Sequence, residues 1–199
     1  SKLRPKGDKI STTHGKSLGV VQTMKIYSFL GDSITQGSFR LGAHMGQLMC
    51  SHPEIVDFIT SKDSNEELSN FNISVQVTDE FMFLVENNCK FNLINPRNNE
   101  VVETVEAKDL WDKICSSAWK TGDPGVVFID RVWETQPNPQ FGNIPGSNPC
   151  SEEMLENYGN CTLGSIDLSK HYDKKSNWVD FVELEDTIRL AVRMLDDVI

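Results

Sequence analysis

Phe71-Asn72-Ile73-Ser74-Val75-Gln76-Val77, followed at once by Thr78-Asp79-Glu80, decides the fold class. Apolar side chains fall at every second position of the first segment, the period of a β-strand with one face turned to a core. Thr78 can cap a helix, and Asp79 and Glu80 stand where negative charge complements the positive end of the helix dipole. A strand that runs directly into a helix is the unit of an α/β fold.

The same alternation of elements extends in both directions. Upstream, Leu41 to Met49 is an apolar stretch that reads as a buried strand, and Pro53 suits the first turn of a helix reaching about Thr60. Val20, Met24, Tyr27, Leu30 and Ile34 recur at helical spacing, so a helix ends before Gly37 and Gln36 to Arg40 is a short connector. Residues 1–18 are polar, lack a sustained period and read as a loop. Downstream, Phe91 to Val105 reads as a hairpin around Asn95-Pro96-Arg97-Asn98, and Ala107, Leu110, Trp111, Ile114 and Ala118 mark an amphipathic helix. Asp123-Pro124-Gly125 turns the chain into a short buried strand, Val126 to Ile129. Trp133 to Pro149 holds four prolines and little apolar content, so it is expected to be a long irregular loop of the kind that carries function. Cys161 to Leu168 returns to a strand, and Phe181, Leu184, Ile188, Ala191, Leu195 and Val198 line a last helix. These elements predict an α/β architecture with a largely parallel sheet.

Composition narrows the functions. The 199 residues are 38% hydrophobic and 24% charged, as in a globular chain that buries a core. A formal charge of −10 argues against a nucleic-acid surface, which needs clustered Lys and Arg. It leaves room for a nucleotide, since backbone N–H groups and a few local cations can hold phosphates. No apolar run approaches a membrane span and no signal-peptide pattern opens the chain, so a cytoplasmic protein is expected. Asn72-Ile73-Ser74 and Asn160-Cys161-Thr162 then read as chance glycosylation matches. Five cysteines at long spacings, without a CxxC pair, suit neither a disulfide framework nor structural zinc. The four histidines lack ligand spacing, so no metal site is expected. The chain opens on Ser1-Lys2 and stops at Ile199 in a helix without a closing Gly or a basic last turn, which reads as a fragment or a split-gene product.

The long loop ends in Ser147-Asn148-Pro149-Cys150-Ser151-Glu152. In extended backbone, alternate side chains share a face, so Asn148, Cys150 and Glu152 would point together. An amide, a thiol and a carboxylate at a loop tip suit radical and acid–base work on a sugar. By residue type alone, a lone Cys is more often a small buried hydrophobe, and Glu152 and Glu153 are ordinary solvated acids.

Asn148-Pro149-Cys150-Ser151-Glu152, with Asn160-Cys161-Thr162-Leu163-Gly164-Ser165-Ile166-Asp167-Leu168, resembles the two active-site signatures of ribonucleotide reductase large subunits. Leu3-Arg4-Pro5-Lys6-Gly7 resembles the first specificity loop of that family, and Gln36-Gly37-Ser38-Phe39-Arg40-Leu41-Gly42-Ala43 its second. Asn70 to Val75 and Thr121 to Asp130 resemble strands of its barrel. The Asn-Pro-Cys form and Thr121-Gly122-Asp123-Pro124-Gly125 are most similar to the adenosylcobalamin-dependent branch. The resemblance implies about half of a ten-stranded α/β barrel with the radical cysteine on an inner loop. Residues 1–199 would form one central fragment, with specificity loops near 3–20 and 35–44 and an active-site loop at 134–152.

The roles follow from that resemblance. Cys150 would be the thiyl radical that takes the 3′ hydrogen of the ribose, and Glu152 the base toward the 3′ hydroxyl. Asn148 would hold the substrate and the local geometry, Ser147 would touch the substrate, and Cys161 would be half of the reducing dithiol. Gln36, Arg40 and Lys6 would belong to the loops that sense a dNTP or ATP effector. The implied cofactor is adenosylcobalamin. The implied partners are a ribonucleoside di- or triphosphate, a dithiol reductant such as thioredoxin, and the remainder of the subunit or a second copy in a homodimer. The family's second reducing cysteine is expected upstream of Leu3 and the rest of its barrel beyond Ile199, so the isolated chain is expected to be inactive. Ser38, Phe39 and Leu41 depart from the more basic, Gly-rich run of the second loop. Cys50, Cys89 and Cys115 fall outside the motifs and read as packing or surface residues. A rival reading is a non-catalytic nucleotide-sensing or assembly module. The joint presence of Asn148, Cys150, Glu152 and Cys161 favours the enzyme. An unrelated nucleotide-binding α/β protein would carry GxGxxG or a P-loop, and neither occurs.

Overall fold

A computed structural model of the chain describes residues 3–36, 40–64 and 67–199; at 35, 36, 40 and 41 it describes the backbone alone. The chain divides into two compact units, Ser1–Glu156 and Asn157–Ile199. In the first, helix α1 (Val20–Ser33) leads through the short strands β1 (Thr35–Gln36) and β2 (Arg40–Leu41) to strand β3 (His44–Met49) and helix α2 (Ile55–Ile59). Strand β4 (Phe71–Val77), helix α3 (Asp79–Glu86), the β5 (Lys90–Ile94) and β6 (Val101–Glu106) hairpin, and helix α4 (Ala107–Thr121) follow. Strand β7 (Gly125–Phe128), helix α5 (Ile129–Thr135), a 3-10 turn at Pro139–Phe141, and strands β8 (Gly146–Ser147) and β9 (Met154–Leu155) complete the unit.

β3, β4 and β7 form one parallel sheet in that order, with Gly46 opposite Ile73 and Ser74 opposite Gly125. The pleat sorts its residues. Leu48, Phe71, Ile73, Val75 and Val77 face a core they share with Phe58 and Ile59 of α2, Phe81 of α3, and Leu110 and Ile114 of α4. The alternate positions, among them Gln47, Asn72, Ser74 and Gln76, form the opposite face, and Ser74 and Gln76 are buried there although polar. The α/β expectation therefore holds in a three-stranded parallel sheet; the remaining described strands pair only as two-stranded antiparallel ladders.

Local chemistry explains the boundaries. Thr78 Oγ1 accepts from Phe81 N–H at 3.1 Å and starts α3 as expected. Gly122, at φ +86°, closes α4 in the left-handed conformation that glycine adopts without strain. Asp123 beside it pairs with Lys62 at 2.7 Å, tying the entry of β7 to the segment before β4.

α1 starts without a capping side chain of its own, at Gly19. The carboxylate of Glu54, which is buried, accepts instead from Val20 N–H at 3.0 Å and from Lys6 N–H at 2.9 Å. Gly19 has φ +85°, and a Cβ there would collide with the Glu54 oxygens, so the position requires glycine on both counts. His52 Nδ1 accepts from Glu54 N–H at 3.1 Å, which leaves its Nε2–H to meet Leu3 O at 3.0 Å. The segment 3–20 is thereby a tied loop, held further by Arg97 donating to Asp8.

Three expectations need correction here. Val126 to Ile129 is not all strand: Ile129 begins α5, and the segment expected to be irregular from Trp133 stays helical to Thr135. Cys161 to Leu168 forms no strand; it is irregular until a 3-10 turn at Leu168–His171. An extended segment becomes a strand only where a neighbour completes its ladder, and no described strand pairs with it. In the second unit that turn precedes the hairpin β10 (Tyr172–Asp173) and β11 (Trp178–Val179) and helix α6 (Phe181–Asp196). Asp180 caps α6 by accepting from Val182 and Glu183 N–H, both at 3.0 Å. Among the described residues no helix is long and apolar enough to cross a membrane.

Candidate active site

The loop that carries Cys150 is the connection between β8 and β9, in which Ser147 faces Met154. It lies over the polar face of the parallel sheet and is bonded to it from three strand positions. Gln76 Nε2 donates to Pro145 O at 2.8 Å and to Gln47 Oε1 at 2.9 Å. Gln47 Nε2 in turn donates to Ser147 Oγ at 2.7 Å, and Asn72 Nδ2 donates to Pro149 O at 2.6 Å. Upstream, Trp133 Nε1 donates to Ile144 O at 2.9 Å, and Ile144 is buried. A segment rich in Pro and Gly, with few apolar anchors, is thus held by directed hydrogen bonds.

The tip is a tight turn, not an extended strand. Ser151 N–H donates to Asn148 O at 3.0 Å, and Ser151 itself has φ +61°. Asn148 closes the loop's neck: its N–H donates to Glu153 O at 3.2 Å and its Oδ1 accepts from Glu153 N–H at 3.1 Å. Ser147 Oγ donates to Asn148 O at 3.1 Å, so at the 3.0 Å Ser147–Ser151 contact the Ser151 hydroxyl is the donor. The expected alternation of Asn148, Cys150 and Glu152 along one face is replaced by this turn, because the Asn148 amide satisfies backbone groups across the tip. Cys150 and Glu152 are both exposed on it.

The other expected residues are spread over both units. Cys161 is exposed in the second unit, where the neighbouring Thr162 hydroxyl donates to Leu195 O of α6 at 3.3 Å. Gln36 and Arg40 are directly paired across β1 and β2, within the segment expected to be a second specificity loop; Gly37, Ser38 and Phe39 lie outside the described residues. Lys6 is exposed and its backbone is held by Glu54. Cys50 is fully buried and burial pushes its thiol up to about 12, so it is a packing residue, whereas Cys89 and Cys115 are exposed.

Sequence reasoning missed Gln47, Asn72 and Gln76. The available signal was the class of fold itself. A parallel sheet is covered on both faces, so polar residues at alternate strand positions must bond to whatever covers them. Glu54 was missed as well, since its partners stand 34 and 48 residues away in sequence.

The whole chain, residues 1–199, matches the family described as "Ribonucleotide reductase, barrel domain". A vitamin B12-dependent ribonucleoside-diphosphate reductase of Thermoplasma acidophilum is 46% identical over 200 residues; the match covers 100% of this chain and 26% of that protein. One of the same name from Mycobacterium tuberculosis is 42% identical, with coverage of 100% and 29%. A vitamin B12-dependent ribonucleotide reductase of Streptomyces avermitilis is 34% identical over 194 residues, covering 85% of this chain and 20% of the relative. The chain therefore spans about a quarter of the length of these relatives. An α/β sheet whose polar face carries a cysteine-tipped loop, and a match that runs from Ser1 to Ile199, establish that the chain belongs to the ribonucleotide reductase family, in its barrel domain.

Proposed function

We propose that this chain is the part of a reductase that presents the radical cysteine to a ribonucleotide, and that Cys150 is that cysteine. The observation that carries the reading is the β8–β9 turn, tied from below to Gln47, Asn72 and Gln76 with the Cys150 thiol exposed at its tip. As a thiyl radical, Cys150 takes the 3′ hydrogen atom of the ribose: an S–H bond forms, a C–H bond breaks, and the unpaired electron passes to C3′. The Glu152 carboxylate, exposed on the same turn, accepts the proton of the 3′ hydroxyl. Asn148 Oδ1 is already used within the loop, and its Nδ2 has no partner among the described residues, so Nδ2 is the donor left for substrate. Ser147 supports that contact from beneath. The 2′ hydroxyl leaves as water, and Cys161 with a second thiol supplies two electrons and two protons and ends as a disulfide; Cys150 then returns its hydrogen atom to C3′, which restores the thiyl radical, and Glu152 returns its proton to the 3′ oxygen.

The relatives named as vitamin B12-dependent point to adenosylcobalamin as the radical source. The residues fit such a group at one point, the Cys150 sulfur, which is open to approach from outside the loop. When bound, such a group would supply an acceptor for the hydrogen atom of the Cys150 thiol. Lys6 and the paired Gln36 and Arg40 belong, in this reading, to the surface that senses a nucleotide effector. The strands β3, β4 and β7 are three staves of a larger closed barrel, whose interior the polar face lines. The test is Cys150→Ala in the complete reductase polypeptide. We expect no deoxyribonucleotide and an unchanged circular dichroism spectrum; turnover by that variant overturns the proposal.

A further inference from the structure

Resting on that reading, we infer that Gln76 and Gln47 are positioning residues for the reaction: a two-amide relay that sets where the Cys150 turn stands above the sheet. Gln76 is 3% exposed, so its amide needs protein partners, and both side-chain bonds it makes among the described residues lead toward the loop. One Nε2 hydrogen goes to Pro145 O, where the loop arrives, and the other goes to Gln47 Oε1. That second bond orients the Gln47 amide so that its own Nε2 donates to Ser147 Oγ. The Ser147 hydroxyl is then left to donate to Asn148 O, within two residues of Cys150. Donors therefore run in one direction, from the centre of β4, across β3, into the turn. Such a chain is polarised along its length and loses geometry when any donor is removed. The relay enters the loop before the turn, at Pro145 and Ser147, whereas the Asn72 contact enters at Pro149. Two points of support on opposite sides of the neck define the height and tilt of the tip. Hydrogen-atom transfer needs the sulfur within a narrow distance of the ribose, and a displacement of about 1 Å at a reacting group can cost roughly a hundredfold in rate.

The direction of the relay gives a test that volume cannot mimic. Gln76→Glu keeps size and shape but removes both donors and sets a carboxylate against the Pro145 carbonyl. Gln47→Leu removes both partners, while Gln47→Glu keeps the acceptor for Gln76 and replaces the donor to Ser147 by an acceptor, which the Ser147 hydroxyl can meet by turning from Asn148 O. The experiment is made on the complete reductase polypeptide. It measures kcat, KM and the rate of Cys150 alkylation by iodoacetamide, with Cys89 of the same molecule as internal reference. We expect Gln76→Glu and Gln47→Leu to lower kcat about tenfold to a hundredfold with KM changed less than about twofold. Both should speed Cys150 alkylation severalfold relative to Cys89, and Gln47→Glu should be milder than Gln47→Leu. If Gln76→Glu does not fold, the contrast between the two Gln47 variants decides the matter. Unchanged kcat and unchanged alkylation, in an enzyme that Cys150→Ala inactivates, overturn the relay alone. Turnover by Cys150→Ala overturns the reading beneath it and the relay together.

Discussion

The two faces of β4 are built from alternate residues of one heptapeptide, yet different physics specifies them. On one face Ile73, Val75 and Val77 are at most 1% exposed and meet helices through apolar contact, which has no preferred direction. On the other, Asn72 and Gln76 act through directed bonds to Pro149 and Pro145, 77 and 69 residues away in sequence, each aimed at a loop carbonyl. The first face determines whether the sheet forms. The second determines where a loop far along the chain comes to rest. A substitution on the apolar face should therefore change stability with little effect on the folded molecule's chemistry, and one on the polar face should do the reverse.

The largest stability effect is expected at the apolar side. Phe58 of α2 is fully buried, and Phe58→Ala should destabilise by about 3–5 kcal/mol, read as a shift in the urea midpoint. A loss near zero would mean that the helices contribute little to holding the sheet. Thr78→Ala removes the cap of α3 and should cost about 1 kcal/mol in the same measurement. The smallest effect is a pH dependence centred on His52. Burial lowers its pKa, against the opposing pull of the Leu3 carbonyl and the Glu54 charge. The unfolded chain then binds the proton at a higher pH than the folded chain does. The stability tied to the neutral ring is complete above the unfolded value, about 6.5, and is lost as pH falls below it. Urea midpoints between pH 7.5 and 5, as chosen conditions, should fall more steeply for the native chain than for His52→Gln; parallel curves would remove His52 from the account.

The apolar face was legible in the sequence because its information is local. Phe71, Ile73, Val75 and Val77 announce a strand, Thr78 a cap, and Ala107, Leu110 and Ile114 a helix, and the structure has each of them. The polar face was not legible, since a Gln on a strand looks the same whether it meets water or a loop. The Asn148 neck was hidden for a related reason. Periodicity predicts an extended tip, but one side-chain amide bonding across to Glu153 converts it into a turn. Cys161 to Leu168 has the composition of a strand, and composition cannot supply the neighbour that a ladder needs. The motif around Cys150 was readable as a resemblance, and the family match covers it, while the side chains that carry the loop had to be seen in place.

The central claim is that the turn over the polar face presents the radical cysteine, with Cys161 acting only in the later reduction. Isotope exchange at the ribose 3′ position, followed in the complete polypeptide, separates the two roles most directly. Cys150→Ala should abolish exchange, and Cys161→Ser should retain it while blocking turnover driven by a dithiol. Exchange that survives in Cys150→Ala, or that is lost equally in both variants, would contradict the account.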